Sequence, residues 1–269
     1  MTDAYYELVG GDDHRGERFA ASEHVISTWG SSMQNAAPVS ALLVRAIEHC
    51  APRDDARLSR VVIDLLGPVP VGDELWVQAR VERPGRQIEL LCADMTAPGP
   101  DGTPRRVATA SAWRFQRSET ITLPETPVEP MRPVTEGYRR LPEDGGERTY
   151  IQSLDWRWLN DILHSVRAEC WVMPLVDLVA GETMTPAQRL FAVADVANGM
   201  GSRLDPSQYT FLNTDLAVHI HRMPQGIWIG VRSENHYGAD GVGMSRGTLF
   251  DERGPVAAIQ QAQLVRSRA

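Results

Sequence analysis

The segment Pro38–Cys50, with the sequence PVSALLVRAIEHC, decides the fold class of this chain. Its apolar residues recur with the spacing of one face of an α-helix, at positions 39, 42, 43, 46 and 47. The proline at its start suits the first turn of a helix. Strand-like segments follow at residues 58–66, 73–83, 86–96 and 105–115, with turn signals at Pro84-Gly85 and residues 98–102. The first half therefore predicts one helix followed by four strands.

The second half of the chain repeats this order. Thr185-Pro186 opens a helical pattern that closes at Asn198-Gly199, with capping residue types at both ends. Strand-like segments follow at residues 209–222, 226–234, 243–251 and 254–266. Each helix is preceded by room for one leading strand, at residues 17–25 and 166–175. The sequence therefore predicts two copies of one strand, one helix and four antiparallel strands, with no parallel crossover. Pairing of the two copies edge to edge would cover the open strand edge of each.

Prolines mark the boundary between the two copies. They recur between Ser118 and Glu147, at positions 124, 127, 130, 133 and 142, together with a Gly145-Gly146 pair. Proline lacks the backbone donor that a helix interior or a central strand needs, so this segment is typical of an extended connector. The predicted organisation is a first repeat over residues 1–117, a linker over 118–148 and a second repeat over 149–269.

Composition excludes several classes of protein. The chain has 269 residues, enough for a large core, and a net charge of −8, the wrong sign for following a phosphate backbone. We therefore expect no nucleic-acid partner. Three widely spaced cysteines indicate neither a disulfide framework nor a metal knuckle. The start of the sequence is acidic rather than basic, and no apolar stretch is long enough to cross a bilayer, so we expect a cytoplasmic protein with no membrane partner.

Three stretches of the second copy carry a resemblance to a known family. They are FAVAD at residues 191–195, NTDLAVHIHR at 213–222 and GPVAAIQQ at 254–261. In this order and spacing, the chain resembles the double hot-dog thioesterases, especially those of the acyl-CoA thioesterase II type. The resemblance implies an α+β, double hot-dog fold, in which each repeat wraps a curved antiparallel sheet around a long central helix. It also implies hydrolysis of an acyl-CoA substrate without a metal or organic cofactor, in a chain that can form homo-oligomers.

In that family an Asp on the second helix, a Ser or Thr on the next strand and a Gln on the last strand hold the attacking water. Carried over by position, these roles fall on Asp195, on Asn213 or Thr214, and on Gln261. Register places Asn213 at the position of the family's hydroxyl, whereas Thr214 faces the other side of the strand unless the strand bulges. Both residues therefore stay candidates, and register favours Asn213.

The residue types suit thioester hydrolysis. A carboxylate can polarise a water, an amide can orient it, and backbone N–H groups near a helix start can stabilise the oxyanion. Asp195 interrupts an apolar helical pattern, and a buried carboxylate there needs partners. Alignment of the two copies places Ile47 opposite Asp195 and Ala112 opposite Gln261. One active site is therefore predicted, in the second copy, with the first copy supplying part of the acyl-binding wall.

Each of these residues also has a simpler interpretation. Asp195 can be a structural residue near a helix end, and Gln261 can belong to a solvated edge strand together with Gln260 and Gln263. The alternating His219 and His221 are more typical of a polar sheet face or a subunit contact than of a metal site. The glycines of residues 238–243 are typical of a hairpin turn, since no helix pattern follows them.

An aromatic pair, Trp156 and Trp158, precedes the second copy. It can pack the linker onto the core or form a lid over the acyl chain.

Two other functions fit the same fold. A dehydratase or hydratase acting on thioester-bound acyl chains would need a His beside Asp195, and His24 could supply it, although its spacing from Gly30 and Pro38 is longer than that of the dehydratase motif. A noncatalytic protein that binds acyl-CoA or lipid would be consistent with Asn213 in place of the hydroxyl.

Overall fold

A computed structural model describes the whole chain except residues 1–2, 73, 100, 121–125, 142–148, 162–164, 166 and 269. Part of the predicted linker lies outside the described residues, including Pro124, Pro142 and the Gly145-Gly146 pair. The predicted starts of two strands, at positions 73 and 166, also lie outside them.

The first half of the chain contains one long helix and eight strands among its described residues. In chain order they are β1 (Ala4–Asp12), β2 (Gly16–Ala21), β3 (Ile26–Ser27), β4 (Gly30–Gln34), α1 (Ala36–His49), β5 (Ala56–Leu65), β6 (Leu75–Arg83), β7 (Ile88–Pro98) and β8 (Pro104–Gln116). Helix α1 begins where the Asn35 side chain accepts a hydrogen bond from the Ala37 N–H, a typical N-cap. The helix and the four strands after it confirm the predicted order.

The second half contains the same kinds of elements. They are β9 (Tyr138–Arg139), β10 (Leu154–Trp158), β11 (Ala168–Pro174), β12 (Asp177–Val179), α2 (Pro186–Ala194), α3 (Val196–Met200), β13 (Tyr209–Asn213), β14 (Asp215–Ile220), β15 (Ile229–Tyr237), β16 (Val242–Asp251) and β17 (Gly254–Ser267). Helix α2 begins with a capping box, in which Thr185 and Gln188 satisfy each other's backbone N–H groups. The glycines of residues 238–243 join β15 to β16 as the predicted hairpin turn.

The main sheet is continuous through the middle of the molecule. Its centre is the antiparallel β5–β14 pair, in which Val62 lies opposite Ala217. Read outward from this pair, the order is β5-β8-β7-β6-β2 on one side and β14-β17-β16-β15-β11 on the other. The two halves therefore meet edge to edge, and no strand edge is left open at their junction.

Both long helices pack against each other on one face of this sheet. Their apolar residues, among them Leu42, Leu43, Leu190 and Phe191, are fully buried in one core. Arg45 of α1 is also buried, and it pairs with Glu17 and Glu182 at 2.7 Å each. No helix in the described part of the chain is long and apolar enough to span a membrane.

Several elements differ from the sequence predictions. The first leading strand ends at Ala21, and Glu23–Val25 form a 3-10 turn. The first dozen residues form β1, which pairs in parallel with β12 of the second half, although only antiparallel strands were expected. Strand β1 carries Tyr5 and Tyr6, which are fully buried, before the polar GGD sequence at its end. The burial of these two rings explains why this polar segment joins the sheet.

Candidate active site

Asp195 lies at a break between two helical segments. The predicted helix over 186–199 stops at Ala194 and resumes as α3, so Asn198-Gly199 lie within α3 and do not end the helix. Asp195 keeps helical dihedral angles, but its N–H bonds to the Val193 carbonyl instead of continuing the regular ladder. Only 7% of the residue is exposed. The apolar residues around it therefore bury a carboxylate at the end of α2.

Two amide side chains converge on this carboxylate. Asn213 Nδ2, at the end of β13, donates to Asp195 Oδ1 at 2.7 Å, and Gln261 Nε2, on β17, donates to the same oxygen at 2.8 Å. Gln261 is 1% exposed, because β17 lies between β16 and β14 and is not an edge strand. The interpretation of Gln261 as a residue of a solvated edge strand is therefore wrong.

Thr214 occupies the interruption between β13 and β14, where one continuous strand was predicted. Its N–H donates to the Ala262 carbonyl at 3.1 Å, and its carbonyl accepts from the Leu65 N–H at 2.9 Å. The residue is exposed and borders the cavity described below, but Asn213 supplies the hydrogen bond to Asp195. The chain does break at this point, yet the break does not bring Thr214 to the carboxylate.

Burial sets the charge state of Asp195. Loss of hydration raises the pKa of this carboxyl from 3.8 to about 6, and the hydrogen bonds from Asn213 and Gln261 partly oppose the rise. Tyr150 Oη lies nearby and donates to the Ala192 carbonyl at 2.7 Å. Burial raises the pKa of Tyr150 well above its usual value, so this phenol stays neutral beside the carboxylate. Asp195 therefore changes charge close to neutral pH.

A cavity of about 600 Å³ opens beside Asp195, Asn213 and Thr214. Both halves of the chain line it with apolar and aromatic side chains, which include Trp29, Met33, Leu65, Val69, Ile151, Trp156, Trp158 and Phe211. The start of α1 also borders it, at Asn35 and Ala36. This mixture of an apolar wall and a few polar groups is typical of a small-molecule site.

The two tryptophans that precede the second copy are part of this wall. Trp156 and Trp158 lie on strand β10, are almost fully buried, and stack with ring centroids 5.8 Å apart. Strand β10 pairs with β11 along its whole length. The pair is therefore a fixed part of the sheet, and the interpretation of these residues as a lid is wrong.

The positions opposite Asp195 and Gln261 in the first half are apolar and buried. Ile47 and Ala112 are both fully enclosed in the core. Glu48, the neighbour of Ile47, accepts hydrogen bonds from Thr185 Oγ1 and Gln188 Nε2, each at 2.8 Å. This contact between the end of α1 and the start of α2 was not predicted. Glu48 comes directly after the apolar residues of the helix, where a charged side chain is usually exposed to solvent.

The histidines that the sequence singled out lie in different parts of the structure. His219 and His221 are exposed, and the described residues contain no group of three or more metal-binding side chains. His24 belongs to the turn after β2 and is not among the residues that line the cavity of Asp195. The hydrogen bonds that Asp195 accepts come from Asn213 and Gln261, and none of those described comes from His24, so the structure gives no support to the pairing that a dehydratase would need.

Sequence reasoning missed two amides close to the site. Asn198 lies on α3 and Gln263 on β17, and they are 5% and 2% exposed. Asn198 had been interpreted as a helix end and Gln263 as a solvated residue. The period-two alternation of β17 was the available signal, since it places Gln261 and Gln263 on one face with buried Ile259.

The sequence matches a family model of the acyl-CoA thioesterase N-terminal domain over residues 25–115 and one of the acyl-CoA thioesterase C-terminal domain over residues 92–265. No curated protein sequence matches the chain.

Several solved structures share the fold. A protein assigned as a thioesterase II from Thermobifida fusca YX has a TM-score of 0.75 at 18% identity, covering 99% of this chain and 98% of that one. A hot-dog protein of unknown function from Alicyclobacillus acidocaldarius has a TM-score of 0.72 at 13% identity, covering 96% of each chain. A tesB protein from Mycobacterium avium subs paratuberculosis has a TM-score of 0.67 at 14% identity, covering 97% of this chain and 95% of that one. The hot-dog fold expected from the sequence is thereby confirmed.

Proposed function

Because the chain belongs to the acyl-CoA thioesterase family and is a thioester hydrolase, we propose that it hydrolyses acyl-CoA with a water activated by Asp195. The observation that carries this proposal is the convergence of Asn213 and Gln261 on one buried carboxylate beside an apolar cavity. The products would be a free acid and the CoA thiol. The apolar wall, to which both halves contribute, would take the acyl group.

The hydrogen bonds of Asp195 support its role as a general base. Both amides donate to Oδ1, so Oδ2 is the carboxylate oxygen available to a water. A base works best when its pKa lies near the operating pH, and burial brings the pKa of Asp195 to about 6. Oδ2 would remove a proton from the water while the water oxygen attacks the carbonyl carbon of the thioester. The tetrahedral intermediate then collapses with cleavage of the C–S bond, and the proton held by Asp195 passes to the departing sulfur, so that CoA leaves as the thiol and the carboxylate is restored.

Asn213 and Gln261 would orient the carboxylate and the water. Gln261 uses Nε2 for Asp195, and its Oε1 atom has no hydrogen-bond partner among the described residues. An unpaired buried carbonyl oxygen is expected where an ordered water completes a site. Asn213 takes the place of the family's hydroxyl and acts as a donor, whereas Thr214 borders the cavity without reaching Asp195.

The start of α1 would stabilise the oxyanion. The Ala36 N–H lies in the first turn of this 14-residue helix, where backbone N–H groups have no intrahelical acceptor. The positive end of the helix dipole favours negative charge at this position. The first half would then contribute both part of the acyl wall and the oxyanion site, although it contains no carboxylate equivalent to Asp195.

We further propose that the fold is a double hot-dog, with repeats at 1–117 and 149–269 joined by the linker 118–148. The equivalent strand orders on the two sides of the β5–β14 pair support this division. The α1–α2 contact in one shared core explains why neither repeat would be complete alone.

Thiol release from a panel of short, long, branched and aromatic acyl-CoA substrates tests the proposal. Wild-type protein should hydrolyse at least one of them, and Asp195→Asn should reduce kcat by about 10²–10⁴-fold with unchanged circular dichroism. Gln260→Ala, at an exposed position next to Gln261, is the matched control and should keep full activity. Binding of acyl-CoA without turnover would instead favour the noncatalytic function.

A further inference from the structure

Two buried amides are connected to Asp195 through Asn213. Gln263 Nε2 donates to Asn198 Oδ1, and Asn198 Nδ2 donates to Asn213 Oδ1 at 3.2 Å. Asn213 Nδ2 then donates to Asp195 Oδ1 at 2.7 Å. We call Gln263, Asn198 and Asn213 the amide chain. Each of its members gives an N–H group in the direction of Asp195.

The orientation of Asn213 decides whether it helps or opposes the carboxylate. A primary amide is a donor at one end and an acceptor at the other, so Oδ1 turned toward Asp195 would repel its negative charge. Two contacts favour the productive orientation. Asn198 donates to Oδ1, and the Asp215 carbonyl accepts from Nδ2 at 3.2 Å. A hydroxyl at position 213 could rotate to serve as donor or acceptor, but an amide has to be set by its neighbours.

Asn198 is itself held from two sides. Gln263 fixes its side chain by donating to Oδ1, and Asn235 Nδ2 donates to its backbone carbonyl at 2.8 Å. Both neighbours come from the sheet, from β17 and β15, whereas Asn198 lies on α3. The break at Asp195 therefore lets one short helix present both the carboxylate at its start and the amide that orients Asn213.

We propose that Asn198 is a positioning residue, which keeps Nδ2 of Asn213 directed at Asp195, and that Gln263 keeps Asn198 in the orientation needed for this. The proposal rests on the role proposed above for Asp195. Hydrogen bonds in a buried series polarise one another, so the amide chain stabilises the charged form of the carboxylate against the effect of burial. Loss of the chain should therefore make Asp195 harder to ionise.

The surroundings of Asp195 allow a change in its ionisation to be measured. In the described part of the chain, burial and the hydrogen bonds from Asn213 and Gln261 shift the pKa of Asp195, while the charge of Asp195 helps to raise the pKa of Tyr150. Its pKa lies well above the usual value because it is buried, so it stays neutral through the range in which Asp195 titrates. A change in the titration of Asp195 can then be assigned to its amide partners.

The experiment measures the ionisation of Asp195 directly, by ¹³C NMR of its carboxyl group, in the wild type, Asn198→Leu and Gln263→Leu. We expect the midpoint to rise by about one pH unit in Asn198→Leu and by less in Gln263→Leu. The acid limb of kcat/KM should move in the same direction, with KM little changed. Tyr237→Phe is the matched control, because the described hydrogen bonds of the Tyr237 side chain join it to Asn235 and Ser202 in the same polar cluster and not to the amide chain.

Two outcomes would overturn the proposal. One is a titration midpoint of Asp195 in Asn198→Leu that equals the wild-type midpoint. The other is a shift of the midpoint in Tyr237→Phe as large as that in Asn198→Leu, which would indicate that the whole polar cluster has loosened. If Asn198→Leu does not fold, the same criteria apply to Gln263→Leu. Full activity of Asp195→Asn would refute the proposed function instead, while the NMR midpoint would still report whether Asn198 orients Asn213.

Discussion

The two ends of the α1–α2 pair each hold a carboxylate, but in different surroundings. At one end Asp195 accepts two hydrogen bonds on a single oxygen. At the other end Gln188 Nε2 donates to Glu48 Oε2 at 2.8 Å, and the single Thr185 Oγ1 hydrogen is shared between Oε2 at 2.8 Å and Oε1 at 3.1 Å. Each carboxylate borders a cavity, of about 600 Å³ and 760 Å³. The presence of a cavity therefore does not distinguish the two ends, whereas Asp195 Oδ2 does, because no hydrogen bond among the described residues reaches it.

The donors explain this difference. Thr185 and Gln188 are the capping box of α2, and they hold Glu48 while they satisfy the start of that helix. Glu48 thus ties the end of one helix to the start of the next, where a negative charge is favourable. Asp195 does not support a helix start in this way, because the corresponding start of α1 is capped by Asn35. A carboxylate that does not cap a helix can accept a hydrogen bond from a water.

A carboxylate at the position opposite Asp195 tests whether the first half could support a second site. Ile47→Asp would place a charge in the fully buried apolar core, where Ala112 stands opposite the position of Gln261. We expect the free energy of unfolding to fall by at least about 3 kcal/mol. Urea denaturation measures this loss, and Ile47→Val, expected to lose about 1 kcal/mol, is the control. An Ile47→Asp variant as stable as Ile47→Val would show that partners exist at that end.

Replacement of Asp195 by Asn should stabilise the fold while it removes activity. The pKa of Asp195 is about 6 in the folded chain against 3.8 for an exposed carboxyl. Folding therefore favours the protonated form, and stability is lost as pH rises from about 4 through 6. Asp195→Asn cannot ionise, so at pH 7 it should be more stable by up to about 3 kcal/mol. Thermal unfolding at pH 4 and pH 7 checks this. A lower Tm for the variant at pH 7 would contradict it.

Asn213 and Thr214 can be compared directly by truncation. Asn213→Ala removes a donor to Asp195, and we expect kcat/KM to fall by about 10- to 100-fold. Thr214→Ala removes a hydroxyl that does not reach Asp195, so kcat/KM should change less than twofold. Steady-state thiol release measures both. A larger loss in Thr214→Ala would mean that Thr214, and not Asn213, fills the position of the family's hydroxyl.

The smallest effect is expected at the other end of the helix pair. Glu48→Gln keeps an acceptor for Thr185 and Gln188 and removes a carboxylate whose pKa is raised by burial, so the free energy of unfolding should change by less than about 1 kcal/mol while kcat/KM stays unchanged. The exposed Glu252→Gln serves as a control for the loss of one negative charge. Loss of activity in Glu48→Gln beyond that control would mean that the two ends share the chemistry.

Regular elements were predictable because their patterns are local. The apolar spacing after Pro38 defines α1, and the alternation of residues 254–266 defines β17 to within a residue. The interruptions were not predictable, because neither an Asp at position 195 nor a Thr at position 214 by itself indicates that a helix or a strand stops there. Their positions are set by contacts with distant segments, such as the bonds of Thr214 to Ala262 and Leu65.

The candidate site was predictable in part. The resemblance pointed to Asp195, to Asn213 or Thr214, and to Gln261. The structure brings Asp195, Asn213 and Gln261 together, while their chemical roles stay predictions. Asn198 and Gln263 were missed because residue type alone does not show whether an amide is buried. The parallel pairing of β1 with β12 was missed for a similar reason, since it depends on segments that are more than 170 residues apart.

The pH dependence of kcat/KM tests the account most directly. Measured from pH 4.5 to 8.5 with a neutral acyl group, it should rise with pH through a single ionisation near pH 6, because the charged form of Asp195 is the base. The rate should then stay level to pH 8.5, and Glu48→Gln should give the same midpoint. A profile that is flat across pH 6, or that falls as pH rises through it, would contradict Asp195 as the base.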